Sequence, residues 1–307
     1  MEKSKNYLKL WVEIILGIVI TIIIIITAII LYFYNADIES KVPEDIKQLC
    51  NIEEYTYQNR KVFEITSNEA EQENLILFYI HGGSYVGEIL REYWDFFKDI
   101  VNDTGYTIIA PDYPLAPKYN YKDVFNMVEP LYKETINKYG AENVILIGDS
   151  SGGGVALSLA EKMQNQGFAK PQQIILISPW LDITLKNPKI AEMQKYDKVL
   201  NREILKFCGE LYVDGDNPNT YLVSPINGNL KNLDNITIFT GTYDILNPDV
   251  YELVDKAKEI GIEIRVIEEE KAEHVWFIKR HLKKVYKGNE GYEKFINVIE
   301  EVSNEKK

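Results

Sequence analysis

Histidine and cysteine are scarce in this 307-residue chain. There are three histidines, His81, His274 and His281, and two cysteines, Cys50 and Cys208. Two cysteines cannot build a disulfide framework. No Cys/His cluster exists to hold structural zinc, so no metal or other cofactor is expected. Eleven prolines and 18 glycines are too few for a collagen-like or low-complexity chain. Positive charge is also in deficit: 34 Lys and Arg against 47 Asp and Glu leave a net charge of −13. Such a chain offers no basic face to phosphate backbones, which argues against a nucleic-acid partner. What is present is apolar surface. Hydrophobic residues make up 46% of the chain, too much for a disordered segment and enough for one large α/β domain or two small ones.

Residues 14–34 form a 21-residue stretch without a charge. As a helix rising about 1.5 Å per residue it would reach roughly 31 Å, the depth of a bilayer core. Trp11 on one flank and Tyr32 and Tyr34 on the other suit the two interfaces, so residues 11–34 are expected to meet a lipid bilayer. The run exceeds the roughly 7–15 apolar residues of a cleaved signal. Cleavage after Ala36 would also place Tyr34 where a small residue is wanted, so an uncleaved signal anchor is expected. Lys3, Lys5 and Lys9 precede the run, and Asp37 and Glu39 follow it. Positive-inside logic then keeps the N-terminus cytoplasmic and puts the remainder outside the cytoplasm. Residues 1–36 are thus a tail and single-pass anchor, and residues 37–307 the folded domain.

Within that domain, short apolar β-branched runs at 75–80, 107–110, 144–147, 174–177 and 236–239, with a more alternating one at 262–267, read as strands. Helix-like stretches lie between them at 88–101, 124–139, 152–166 and 249–260, each closing shortly before a glycine. Alternation of strand and helix predicts a mostly parallel sheet with helices on both faces, and continuous apolar strands fit burial on both sides. Residues 187–219, with a helical pattern at 202–212, interrupt the alternation and read as an insertion over the sheet. Residues 37–57 read as a linker followed by polar helix-like sequence, expected to pack beside that insertion.

Gly148-Asp149-Ser150-Ser151-Gly152 follows the run at 144–147 and opens a helix. This is a G-x-S-x-G nucleophile elbow in the context it requires, exposing the Ser150 hydroxyl at a helix N-terminus. A serine needs a base, and in strand-turn-helix hydrolases the acid and base follow in the order Ser, Asp/Glu, His. Asp244 lies past the run at 236–239, and His274 past that at 262–267. The rival acid Asp249 follows Pro248 and reads as a helix first turn, where acids favour the dipole. The rival base His281 falls in an expected helix at 276–286, among lysines and Arg280, and reads as a solvated surface residue. His81-Gly82-Gly83-Ser84 follows the run at 75–80. Its small residues let backbone amides approach a developing oxyanion, and the Ser151 amide is a further donor. His81 precedes the serine and reads as a structural residue pinning this loop.

These residues, together with Asp112-Tyr113-Pro114-Leu115-Ala116-Pro117, Ser178-Pro179-Trp180-Leu181-Asp182 and Asp244-Ile245-Leu246, resemble the hormone-sensitive-lipase-like branch of the α/β-hydrolase esterases over about residues 75–280. The resemblance implies an α/β-hydrolase fold. It implies Ser150 as nucleophile, Asp244 as acid and His274 as base. It implies an oxyanion hole at Gly83, Ser84 and Ser151 with Gly82 beside them, and a helical cap from residues near 37–57 and 187–219. Two departures stand out: Ser84 replaces a third glycine, and the second acid of the Asp244 motif is displaced to Asp249. The implied activity is carboxylic ester hydrolysis through an acyl-enzyme, with a small-molecule ester as substrate and no cofactor. A serine peptidase, a lactonase or a non-catalytic ligand-binding relative on the same scaffold are the alternatives. Tyr85 and Trp180 are expected to bound the substrate pocket and restrict it to small or medium acyl groups.

Overall fold

The structure, a computed structural model, describes residues 36–71, 73–282 and 285–304. The expected bilayer segment, residues 11–34, lies outside these. Among the described residues no helix is long and apolar enough to cross a membrane.

Residues 38–304 form an α/β domain around one sheet. Its strands are β1 (Cys50–Tyr57), β2 (Arg60–Ser67), β3 (Ile76–Ile80), β4 (Thr107–Pro111), β5 (Val144–Asp149), β6 (Gln173–Ile177), β7 (Ile236–Gly241) and β8 (Ile264–Glu269). They lie in the order β1-β2-β4-β3-β5-β6-β7-β8. All neighbours from β4 to β8 run parallel, while β1–β2 and β2–β4 pair antiparallel. Period-2 alternation divides the central strands between two apolar cores. Ile76, Phe78 and Ile80 of β3 face one core, and Leu77 and Tyr79 the other.

The first core is closed by α2 (Tyr121–Tyr139), α3 (Ser150–Asn165) and α6 (Asn247–Glu259). The second is closed by α1 (Arg91–Thr104) and α7 (Gly288–Asn304). The glycine stops hold where the geometry demands them: Gly105 caps α1 at φ 71°, a left-handed conformation that glycine adopts without strain. The insertion between β6 and β7 carries α4 (Pro188–Met193) and α5 (Arg202–Val213). It sits at the C-terminal ends of the strands, where open α/β sheets place their sites.

Two expectations need correction. Residues 50–57 are not helix-like cap sequence. They are the edge strand β1, joined to β2 through Gln58 and Asn59 at φ 47° and 64°, a two-residue turn with both central residues left-handed. The acidic pair Glu53-Glu54 masks a two-residue alternation that suits an edge strand with one face in solvent. Likewise the helix expected to begin at 276 does not form there, and residues 274–281 run in turns. Val275, Trp276, Phe277 and Ile278 are all buried in succession, which no single helix face accommodates, and Val275 has φ 48°.

Candidate active site

The site begins with a turn that side chains would block. At Gly152 a Cβ would stand 2.1 Å from the Ile80 carbonyl oxygen and 2.3 Å from that of His81. At Gly148 it would stand 2.3 Å from the Gly152 carbonyl oxygen. Only with hydrogens there can β5 turn directly into α3, and Ser150 takes the strain, with φ 52°. The turn projects its hydroxyl above the sheet at the N-terminus of α3.

Ser150 Oγ lies 2.9 Å from His274 Nε2, and His274 Nδ1 lies 2.8 Å from Asp244 Oδ2. The three residues, from loops after β5, β7 and β8, come together in the order expected. Asp244 is held in turn by the Leu246 amide, which donates to Oδ1 at 2.9 Å. The β7 and β8 loops are laced to each other: the Tyr243 amide donates to the Ala272 carbonyl at 3.0 Å, and the Lys271 amide to Thr242 Oγ1 at 2.7 Å. The loop carrying His274 is also fixed to the residue just past β6, since the Val275 amide donates to Ser178 Oγ at 3.1 Å. The rivals lie elsewhere. His281 pairs with Asp99 on α1 at 2.5 Å. Asp249 is buried in the first turn of α6, where among the described residues neither of its oxygens has a partner at full hydrogen-bond geometry.

The loop after β3 supplies amides. Gly83 and Ser84 have φ of 123° and 56°, and their N–H groups, like that of Ser151, have no acceptor among the described residues. Ser84, where a glycine was expected, adopts the left-handed conformation despite its Cβ. Gly82 differs from the expectation: its amide donates to Asp149 Oδ1 at 2.9 Å and is therefore not free for an oxyanion. Gly82 matters for space instead, because a Cβ there would lie 2.4 Å from Asp149 Oδ2 and 2.9 Å from Ser150 Cβ. His81 supports the loop, stacked on Tyr113 at 4.3 Å, while the Tyr113 hydroxyl donates to the His81 carbonyl at 2.8 Å.

Asp149 was invisible as a functional residue, being the unspecified position in G-x-S-x-G. Besides Gly82 it accepts from the Tyr79 hydroxyl at 3.0 Å and the Tyr93 hydroxyl at 2.7 Å. Burial pushes its carboxyl up to about 6, and the two tyrosine hydroxyls and the Gly82 amide hold it from rising further. Asp197 in the insertion was missed as well. It accepts from the Ile245 amide at 2.9 Å and from the Val199 and Leu200 amides at 2.8 Å each, and so binds the insertion to the Asp244 loop. No local motif announced either residue, because the partners of Asp149 and the Ile245 amide that gives Asp197 its place at the site lie far along the chain.

Tyr85 and Trp180 are not pocket walls. Tyr85 stacks on Tyr212 of α5 at 3.7 Å and packs on Trp180 at 5.3 Å, and both are almost wholly buried. They join α3, the oxyanion loop and the insertion into one core. The cavity over Ser150, about 190 Å3, is walled instead by Leu90, Val199, Leu200, Val275 and Ile278. A wider pocket of about 590 Å3 lies by Gln173, Ile236 and Arg265, at the N-terminal ends of β6–β8 and away from these groups. Among the described residues no group of three His, Cys, Asp or Glu side chains is placed to hold a metal.

Comparison with known proteins bears on the same region. The family described as alpha/beta hydrolase fold matches residues 77–278. An esterase of Acinetobacter venetianus is 29% identical over 191 residues, covering 62% of this chain and 63% of its own length, so the match leaves more than a third of that relative unaligned. A Staphylococcus aureus protein of known structure superposes with a TM-score of 0.79 at 24% identity, over 85% of this chain and 87% of its own. A hormone-sensitive lipase from a metagenome library does so with 0.76 at 20% identity, over 86% and 94%.

Proposed function

The chain belongs to the α/β-hydrolase fold family, and on that premise we propose that it is a serine carboxylesterase of the hormone-sensitive-lipase-like branch. The observation that carries this reading is the unbroken relay from Asp244 through His274 to Ser150, with contacts of 2.8 and 2.9 Å. The names of the similar proteins, an esterase and a hormone-sensitive lipase, support it.

The reaction is two-step acyl transfer. His274 Nε2 takes the Ser150 proton as Oγ attacks the ester carbonyl. Asp244 keeps the other ring nitrogen protonated and stabilises the imidazolium. The Gly83, Ser84 and Ser151 amides receive the oxyanion, each such donor being worth about 3–4 kcal/mol in other enzymes. His274 then protonates the departing alkoxide, and water releases the acyl group by the same path in reverse. Successive positive φ angles at Gly83 and Ser84 give the kind of backbone turn in which adjacent amides can share one anion.

Residues 11–34 further support a membrane-anchored enzyme with its catalytic domain outside the cytoplasm, on the strength of the uncharged run and the lysines before it. Protease added to intact cells is expected to digest the domain. Protection until lysis would contradict this orientation.

The test of the chemistry is direct. A serine-directed phosphonate should label the wild-type protein and not the Ser150→Ala variant, and Ser150→Ala and His274→Ala should each abolish hydrolysis of aryl esters, since triad members act as a unit. His281→Ala should retain turnover. Full activity in Ser150→Ala would end the proposal.

A further inference from the structure

A second cavity, also about 190 Å3, borders His274 without reaching Ser150. Its wall carries Lys198, Lys271 and Lys279 against one carboxylate, Glu273. This local excess of base stands in a chain whose net charge is −13. The cavity over Ser150 is charged the other way: Glu88 and Glu92 line it, with Lys279 as its one lysine. His274, Val199 and Lys279 border both cavities.

The two cavities have different chemical places. In acyl transfer by a Ser–His pair the alcohol departs on the imidazole side, because the imidazolium gives it the proton. The cavity holding Ser150 and the free amides at Gly83 and Ser84 is placed for the acyl half. The one touching His274 alone is placed for the alcohol half.

Lys279 is the residue without a use so far. Lys271 pairs with Glu270 at 3.2 Å, whereas no carboxylate among the described residues comes within ion-pair distance of the Lys279 ammonium. Asp149, Asp244, Glu92 and Asp197 act on it only at longer range, and burial pulls its pKa below the ordinary lysine value. A cation that has lost water without gaining a partner is stabilised by an anion that supplies one.

We propose that the enzyme selects esters whose alcohol half carries an anionic group, a phosphate or a carboxylate, which Lys279 receives with Lys198 and Lys271 beside it. The inference rests on the ester-hydrolase reading. The bond broken is still the acyl–oxygen bond: the alkoxide takes the His274 proton and leaves as an anionic alcohol, and the acyl group stays on Ser150 until water removes it.

The test uses the full-length protein in detergent micelles and acetates that differ only in the leaving group: phenyl acetate, 4-acetoxybenzoate and 4-acetoxyphenyl phosphate. Phenyl butyrate and monophenyl succinate place the charge in the acyl half instead. The readout is the ratio of kcat/KM for the anionic ester to that for its neutral partner, compared between wild type and Lys279→Met. Taking the ratio between variants cancels the intrinsic reactivities of the leaving groups. The ratio should fall about tenfold for the two anionic acetates, through KM rather than kcat and more for the phosphate, equivalent to about 1.4 kcal/mol. It should be retained in Lys279→Arg and be unmoved for the succinate pair. If Lys279→Met does not fold, the Lys198→Gln/Lys271→Gln double variant should lower the same ratio about threefold. Phenyl acetate hydrolysis with a ratio that neither substitution changes overturns this proposal alone, as does an equal fall for succinate. No hydrolysis of any ester by wild type, with no phosphonate labelling, overturns the esterase reading and this inference with it.

Discussion

Asp149 and Gly82, 67 positions apart, are joined by a 2.9 Å hydrogen bond from the Gly82 amide to the Asp149 carboxylate. The residue before the nucleophile thereby holds the strand end that carries the oxyanion amides, so the attacking atom and the groups that stabilise its product are mounted on one support. The same carboxylate gathers the Tyr79 and Tyr93 hydroxyls, which ties both to the second core through α1 and β3.

Replacing Asp149 with Ala should therefore act on stability and rate together. Two buried hydroxyls and a buried amide lose their acceptor, an effect of about 2–4 kcal/mol, visible as a lower midpoint in urea. With the Gly83 and Ser84 amides no longer held, kcat should fall tenfold or more, roughly the scale of a weakened oxyanion donor. Unchanged kcat in a folded Asp149→Ala protein would show that the oxyanion loop positions itself.

Gly152→Ala should be more damaging than an ordinary Gly→Ala change in a helix, which is normally favourable by about 1 kcal/mol. Its Cβ would meet backbone oxygens at 2.1 and 2.3 Å, and backbone cannot rotate away. Loss of more than about 3 kcal/mol is expected, measurable by thermal melting. A neutral or stabilising effect would mean that the elbow is looser than these distances imply.

Acyl preference should follow Leu200 rather than Tyr85. The cavity over Ser150 is about 190 Å3 and closed by Leu200 and Ile278 among others, so esters of C2–C4 acids should turn over faster than those of C12 acids. Leu200→Ala should move the optimum to longer chains. A Tyr85→Ala change should instead unfold the insertion, because that ring stacks on Tyr212 inside the core. A wild-type preference for C12 esters would refute the assignment of this cavity to the acyl half.

Asp249 sets a pH dependence on stability. Burial pushes its carboxyl up to about 7, and the nearby Asn187 amide only partly opposes this. The folded state keeps this proton to higher pH than the unfolded chain, whose carboxyl has a pKa of about 3.9. Stability from this group is thus fully present below about pH 4 and is lost as pH rises through about 7. Asp249→Asn does not titrate, so relative to wild type it should gain on the order of 2–3 kcal/mol between pH 5 and pH 8.5. Thermal melts at the two pH values test this. Equal differences at both would show that Asp249 is ionised throughout.

What the amino-acid sequence determined by itself is what short-range sterics and periodicity control. Gly148 and Gly152 around Ser150 specify a turn that only hydrogens fit, so the elbow was legible without coordinates. The apolar runs of β3 to β7 announced a doubly covered sheet, because strands buried on both faces need no polar alternation. The order Ser150, Asp244, His274 followed from which runs they trail. Tertiary structure decided the matters that depend on where a side chain's surroundings come from. The polar sequence before residue 57 read as helix-like, and pairing of β1 with β2 made a strand, since edge strands tolerate charges such as Glu53 and Glu54. Tyr85 and Trp180 follow their motifs closely enough to suggest a pocket, yet Tyr212, more than a hundred positions from Tyr85, covers them and turns them into core. Asp149 gained its role from Gly82, Tyr79 and Tyr93, and Lys279 its exposure to both cavities from an irregular segment that replaces the expected helix. Local geometry is written in neighbouring residues, whereas burial and charge environment are set by distant segments that meet only when the sheet has formed.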